Sequence, residues 1–156
     1  MIIPISQAYA HGLGIDTTTP LNYEERKILI SVEMIPMYFD ESQDKKIRVY
    51  AYDKMTEESI SNVTFLLNIY KNNEKIFQDS MFSPNGELLI DVEKYDYLIP
   101  YFKSGGLYHY EMDIISLDGS DDAVDYLSGY TADVSVVDTT YHKFKNTKNI
   151  DTEFRH

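Results

Sequence analysis

The stretch NVTFLLNIYKNNEKIFQDSMF, residues 62–82, decides the fold class of this chain. Its first half alternates apolar and polar residues, which is typical of a strand with one buried face. The polar residues 71–74 can reverse the chain, because asparagine tolerates the positive φ of a tight turn, and residues 76–82 then return as a hairpin partner. The residues predicted to face inward from the first strand are Val63, Phe65, Leu67 and Ile69.

Similar alternation on both sides of this hairpin predicts about seven short strands and no amphipathic helix. The tyrosine-rich residues 93–104 contain Pro100 and predict a crossover loop between two sheets. Short strands separated by regular turn signals are typical of an antiparallel sandwich. We therefore expect an all-β, Ig-like or fibronectin-like fold, with a jelly roll or a small barrel as the alternative. The predicted strands are residues 27–35, 47–52, 62–71, 76–82, 88–92, 107–116 and 129–137.

The composition limits the classes of partner and chemistry. The chain has 156 residues, which fits one domain, and its net charge of −12 comes from 26 acidic and 14 basic residues. Such a surface repels nucleic-acid phosphates and anionic lipids. The absence of cysteine excludes thiol catalysis and cysteine-ligated metals. No apolar run approaches the ~20 residues of a membrane span, so we expect no membrane insertion.

The N-terminal residues predict export. Ala8-Tyr9-Ala10 has the small-x-small pattern that signal peptidase recognises, so we expect an extracytoplasmic protein whose mature form begins at His11. The apolar run before it is shorter than a complete signal needs, so residues 1–10 are either the remnant of a longer signal or a disordered N-terminus. We assign residues 11–140 to the β-sandwich and residues 141–156, which are rich in lysine, to a tail or a linker to a further domain.

A set of short motifs across residues 11–140 resembles an exported β-sandwich domain that recurs in envelope proteins of ammonia-oxidising archaea. The resemblance implies an envelope location and an Ig-like fold rather than an activity. A looser likeness extends to bacterial periplasmic Ig-like domains of the YtkA and copper-resistance kind, some of which handle copper through methionine and histidine clusters that this sequence does not reproduce. The motifs are His11-Gly12-Leu13-Gly14-x-Asp16, Asp53-Lys54-x-Thr56, Asn62-Val63-Thr64-Phe65, Ile69-Tyr70-Lys71, Asn85-Gly86-x-Leu88 and Gly105-Gly106-Leu107-Tyr108.

Histidine supplies the candidate copper ligands. If the mature chain begins at His11, its α-amine and imidazole can chelate Cu(II), because nitrogen ligands suit that ion. A second imidazole would come from His109, His142 or His156, none of which lies at a recognised spacing. His109, Glu111 and Asp113 alternate along one predicted strand and share one face. The alternatives are an unmetallated N-terminal histidine and a solvated polar face.

Two further features predict binding or modification. Asp118, Asp121 and Asp122 lie on a glycine-containing loop with Asp125 nearby, and such clustered carboxylates suit Ca²⁺. Their spacing does not match an EF-hand, so the alternative is an ordinary acidic hairpin loop. Asn62-Val63-Thr64 is an N-glycosylation sequon.

The sequence carries no signature of an enzyme. It has no Gly-x-Ser-x-Gly elbow, no phosphate-binding glycine loop and no His-Glu-x-x-His motif, so we expect no catalysis and no cofactor, with copper or calcium as the alternative. The first functional hypothesis is a non-catalytic envelope or cell-surface interaction module that pairs with other envelope proteins or subunits through an exposed strand edge. The second is an extracytoplasmic copper-binding accessory protein that uses His11. A tyrosine-corner contact of Tyr108 with the loop before it is also expected.

Overall fold

The structure is a computed structural model that describes residues 13–39 and 43–138. Within these ranges the chain forms ten strands and three short 3-10 helices, and no helix is long and apolar enough to cross a membrane. The helices are Val92–Lys94, Ile99–Phe102 and Asp121–Asp125. The strands are β1 (Ile15–Thr17), β2 (Leu21–Tyr23), β3 (Arg26–Ile35), β4 (Tyr38–Phe39), β5 (Lys46–Asp53), β6 (Val63–Lys71), β7 (Glu74–Ser83), β8 (Glu87–Asp91), β9 (Gly106–Ser116) and β10 (Tyr130–Asp138).

The ten strands form two five-stranded sheets that pack face to face. The first sheet has the order β1-β3-β5-β8, with β2 also paired to β3, and the second has the order β4-β10-β9-β6-β7. Every pair is antiparallel except β4 with β10, which is parallel. The all-β antiparallel sandwich predicted from the sequence is confirmed.

All seven predicted strands are present, with ends that differ by at most two residues from those expected. The three additional strands are β1, β2 and β4, which have three, three and two residues. Strands of this length complete barely one period of alternation, so their sequences carry no signal that distinguishes them from loops. The predicted count of about seven strands therefore omitted the short strands at the N-terminal side of the sandwich.

The core lies between the sheets and follows the predicted alternation. Both sheets supply a row of fully buried aliphatic side chains. Aromatic rings fill the end of the sandwich where residues 92–105 connect the sheets. The ring of Phe102 stacks on Tyr108 at a centroid distance of 4.9 Å, and Phe39 lies 5.9 Å from Tyr108. The buried apolar rows include Ile28, Ile30, Val32, Met34, Val63, Phe65, Leu67 and Ile69.

Residues 92–105 form the predicted crossover between β8 in the first sheet and β9 in the second. Tyr108 donates a hydrogen bond to the carbonyl oxygens of Tyr101 and Ser104, both at 2.9 Å, which confirms the predicted tyrosine-corner contact. Lys71 reaches the same loop from β6, and its Nζ donates to the carbonyl oxygen of Tyr101 at 2.6 Å. Burial lowers the pKa of Lys71, and its amine is satisfied by loop oxygens and the ring of Tyr108.

The N-terminal strand covers the outer side of β10 and joins the two sheets. Asp16 is 5% exposed, and its Oδ2 accepts a hydrogen bond of 2.8 Å from the backbone N–H of Asp133. The N–H of Gly14 donates to the carbonyl oxygen of Ser135 at 2.8 Å. Tyr130 adds a hydrogen bond of 2.7 Å from its hydroxyl to the carbonyl oxygen of Ile28 in the first sheet. This side of the sandwich is closed.

Candidate functional site

β7 is a ten-residue outer strand of the second sheet and has an open side. Within residues 13–39 and 43–138, β7 pairs with β6 alone. Asp133 shows which backbone groups of the sheet point outward, because its N–H is directed away from β9 to Asp16. Hydrogen-bonding direction alternates along each antiparallel strand, so Gln78, Ser80 and Phe82 direct their N–H and C=O groups away from β6. Thr131 lies two positions from Asp133 and points the same way, and its direction can be followed from strand to strand along one aligned row. That row is Thr131, Glu111, Asn68 and Gln78.

We call the outward backbone groups of Gln78, Ser80 and Phe82 the β7 edge. One of its N–H groups has a partner, because the neighbouring carboxylate of Asp79 accepts the N–H of Ser80 at 2.8 Å. The three residues of the β7 edge and Asp79 are exposed, with Phe82 at 59%. An edge with free donors and acceptors is a template for another strand. The β7 edge therefore offers strand pairing to a polypeptide that can displace one exposed carboxylate.

The start of β7 is protected, which limits the open side to its second half. A β-bulge places Ile76 opposite the Ile69–Tyr70 step of β6, and bulges twist an edge away from a flat pairing geometry. The crossover loop also covers this part, because the ring of Tyr95 meets Phe77 edge-on at 5.5 Å. Tyr97 follows Tyr95 at 6.0 Å. The loop and the bulge leave the backbone from Gln78 onward uncovered.

The side of the sandwich that contains the β7 edge is acidic. The elements that border it are β7, β8 and the crossover loop, and together they carry six carboxylates against three lysines. Lys75 is engaged locally, since its Nζ donates to the side chain of Gln78 at 3.0 Å. Burial raises the pKa of Tyr97, and the nearby charge of Asp79 adds to that shift. This arrangement attracts a cationic partner.

The predicted row of His109, Glu111 and Asp113 lies on the outer face of β9, as the alternation indicated. Nδ1 of His109 lies 2.8 Å from a carboxylate oxygen of Asp133, and its Nε2 lies 3.5 Å from Glu111. Glu111 also accepts a hydrogen bond from Tyr70, which raises the pKa of that tyrosine. Asp113 is separately engaged, because it accepts the backbone N–H of Gly129 at 2.8 Å. Among the described residues, the structure brings His109 to the carboxylates of Asp133 and Glu111.

The acidic loop of the calcium prediction is a tight turn followed by a 3-10 helix. Asp118 adopts a positive φ of 51° and forms a 2.9 Å ion pair with Arg26. Asp121 and Asp122 occupy the first turn of the helix, and the hydroxyl of Ser120 accepts the N–H of Asp122. The loop thus gives these polar residues structural roles, and calcium binding stays a prediction.

Metal ligands do not converge in the part of the chain that the structure describes: no group of three histidine, aspartate or glutamate side chains could hold an ion there. His11, His142 and His156, the predicted cleavage site and the tail of residues 141–156 lie outside the described residues. The copper hypothesis therefore stays a prediction that depends on His11.

The glycosylation sequon lies at the start of β6. Asn62 is exposed and has a φ of 50°, and its backbone N–H donates to the carbonyl oxygen of Pro84. The hydroxyl of Thr64, which the modification reaction requires, lies 2.6 Å from the hydroxyl of Ser116. In the folded domain this hydroxyl is engaged, and glycosylation of Asn62 stays a prediction.

Sequence reasoning missed three residues that organise the edges and the crossover loop. For Lys71 a signal existed, because it continues the inward alternation of β6 and a lysine at an inward position needs oxygen partners. Asp79 gave a weaker signal, an aspartate within a predicted strand. Asp16 gave none, because β1 is too short to be recognised.

Comparisons of the chain with protein-family models, curated proteins and solved structures find no match, so its function is inferred from geometry.

Proposed function

We propose that this chain is a non-catalytic interaction module whose β7 edge takes up an extended segment of another polypeptide as an added strand. The observation that carries the proposal is the run of outward backbone groups at Gln78, Ser80 and Phe82, with only Asp79 among the described residues in their way. Main-chain hydrogen bonds supply the affinity in this mode of recognition, and side chains beside the strand supply the specificity. The Ala8-Tyr9-Ala10 pattern supports an extracytoplasmic place of action for the module.

Two other strands that have a wholly or mostly unpaired side, β8 and β10, fit this role less well. β8 has five residues, half the length of β7, and offers fewer backbone groups to a partner. β10 is covered by Gly14 and Asp16 from the N-terminal side. Each added hydrogen bond stabilises a complex by about 0.5–1.5 kcal/mol net, and ordering the incoming segment offsets part of this gain. We therefore expect micromolar rather than nanomolar affinity.

Peptide selection tests the proposal directly, because it does not require the natural partner to be identified. Random peptides displayed on phage are selected against the full chain, and the bound site is mapped by amide hydrogen exchange. Peptides should bind saturably and slow the exchange of the Gln78 and Phe82 amides. Absence of saturable binding, or protection confined to another surface, would overturn the proposal.

Two substitutions at one position separate the contribution of the backbone N–H to binding from that of the side chain. Ser80→Pro removes the outward N–H, and proline is tolerated where a strand N–H faces away from its sheet. Ser80→Ala keeps the N–H and removes only the hydroxyl. Selected peptides should lose at least about tenfold in affinity for the Pro variant and bind the Ala variant as the parent, with circular dichroism showing both variants folded. Equal binding to the two variants would contradict strand addition at this edge.

A further inference from the structure

We infer that the partner of the β7 edge is a second copy of this chain, which contributes its basic residues 139–149. The inference rests on the proposed function and names the occupant of the same site. It follows from three observations: the charge of Asp79 at the edge, the period-2 placement of Asp79 and Phe82, and the distribution of lysine along the sequence.

The first step concerns the carboxylate of Asp79. An added strand places its own carbonyl oxygen against the N–H of Ser80, and this releases the carboxylate that now accepts that N–H at 2.8 Å. The released charge lies beside strands and a loop that are already acidic. Lys75 is bonded to Gln78. A partner segment that brings its own cation therefore binds more tightly, because that cation pairs with the released carboxylate.

The second step concerns the two faces of the strand. Asp79 and Phe82 are three positions apart in the strand and therefore point to opposite faces of β7. A complementary segment would present cations on the face of Asp79 and an apolar side chain on the face of Phe82. Aromatic pairs across strands stabilise sheets, so an aromatic residue between two lysines fits this edge.

The third step is that the chain itself contains such a segment. Residues 139–149 read TTYHKFKNTKN, with three lysines and no carboxylate, whereas the described ranges hold 22 acidic and 10 basic residues. In an extended segment Lys143 and Lys145 share one face and Phe144 takes the other. Lysines would meet Asp79, and Phe144 would lie beside Phe82.

A second copy satisfies this geometry better than the same copy. The segment follows Asp138 at the end of β10, and a strand added outside β7 lies four strand spacings, about 19 Å, from β10. Residues 139–142 span at most about 14 Å when fully extended, so Lys143 of the same copy cannot reach that position. Pairing between copies avoids this limit. It closes a dimer if two copies exchange their segments, and it extends to a ring or an open chain if each segment binds a further copy.

Charge reversal tests the inference in the full chain by sedimentation over a range of protein concentrations at low salt. Parent protein should associate, and added salt should weaken the association. An edge variant, Asp79→Lys, and a tail variant, Lys143→Glu with Lys145→Glu, should each raise the dissociation constant at least about tenfold. An equimolar mixture of the two variants should recover association, since each then presents opposite charges to the other. Failure of the mixture to recover would overturn the inference.

Two controls make the outcome specific. Lys27→Glu with Lys54→Glu carries the same change in net charge as the tail variant but alters exposed positions of the first sheet, and it should associate as the parent does. Ser80→Pro should abolish association. If the parent is monomeric at every concentration while selected peptides still bind the β7 edge, the second copy is the wrong partner and the proposed function stands. If neither occurs, both are wrong.

Discussion

Two strands of the second sheet, β10 and the outer strand β7, use the same hydrogen bond to different effect. At β10 and at β7 an aspartate carboxylate accepts an outward strand N–H at 2.8 Å. At β10 the acceptor is Asp16, which is buried and belongs to a strand of the other sheet. At β7 it is Asp79, which is exposed and adjacent to Ser80, the residue whose N–H it accepts. The bond at β10 ties its outer side to another strand, whereas the bond at β7 only satisfies one outward N–H group.

The difference shows that the origin and burial of an acceptor decide whether a strand edge is available. Asp16 is held by its own strand and cannot leave without opening the sandwich. Asp79 can rotate into solvent, where water replaces its partner. A local carboxylate of this kind discourages pairing with unselected strands and yields to a segment that supplies a better acceptor and a cation.

Hydrogen exchange should give the largest contrast between the two edges. The amide of Asp133 exchanges only when the sandwich opens, so we expect protection of at least about 10³-fold. The amides of Gln78 and Phe82 have no partner among the described residues and should exchange close to the rate of an unfolded chain. The measurement is made by NMR at a dilution where the protein does not associate. Slow exchange at Gln78 under those conditions would mean that the β7 edge is not open.

Removing each carboxylate in turn should lower the free energy of unfolding by different amounts at the two edges. Asp16→Ala leaves the N–H of Asp133 without its buried acceptor and should lower the free energy of unfolding by about 2 kcal/mol. Asp79→Ala should lower it by less than about 0.5 kcal/mol, because water reaches the N–H of Ser80. Urea unfolding of both variants measures the contrast. Equal losses would show that burial is not what distinguishes the two bonds.

Alkaline pH should lower the free energy of unfolding through Tyr130 on the closed side, by a smaller amount than the loss of Asp16 does. Burial raises the pKa of Tyr130 above its usual value of about 10, so the unfolded chain releases this proton first. The free energy of unfolding should be unaffected by this group below pH 10 and fall as the pH rises above it. Tyr130→Phe should cost about 1 kcal/mol at neutral pH and make the alkaline loss shallower.

Tyr126→Phe is the matched control, because Tyr126 is 61% exposed. Its alkaline profile, followed by urea unfolding at successive pH values, should match that of the parent. An unchanged profile for Tyr130→Phe would show that Tyr130 contributes nothing to the alkaline loss.

The sequence predicted those parts of the fold that depend on local pattern. Period-2 alternation located the seven long strands and the outward row of His109, and Gly105-Gly106-Leu107-Tyr108 located the tyrosine-corner contact. It could not predict the closed edge, because that edge depends on a three-residue strand and on contacts between distant parts of the chain. Alternation also shows which face of a strand is buried but not which strand lies at the edge of its sheet. An open edge was expected, and its place at β7 required the structure.

The hydrogen bond from Asp133 to Asp16 has a consequence for the time course of folding. It links residues 117 positions apart, and the bond from Tyr130 to Ile28 links residues 102 apart. Such distant contacts slow folding, because the intervening chain must be ordered before they form. At about 5–20 residues per second, a ribosome needs on the order of ten seconds to make that stretch. During this interval Asp16 and the carbonyl oxygen of Ile28 lack their hydrogen-bond partners in β10, so the side that ends up closed is the last to be protected from aggregation.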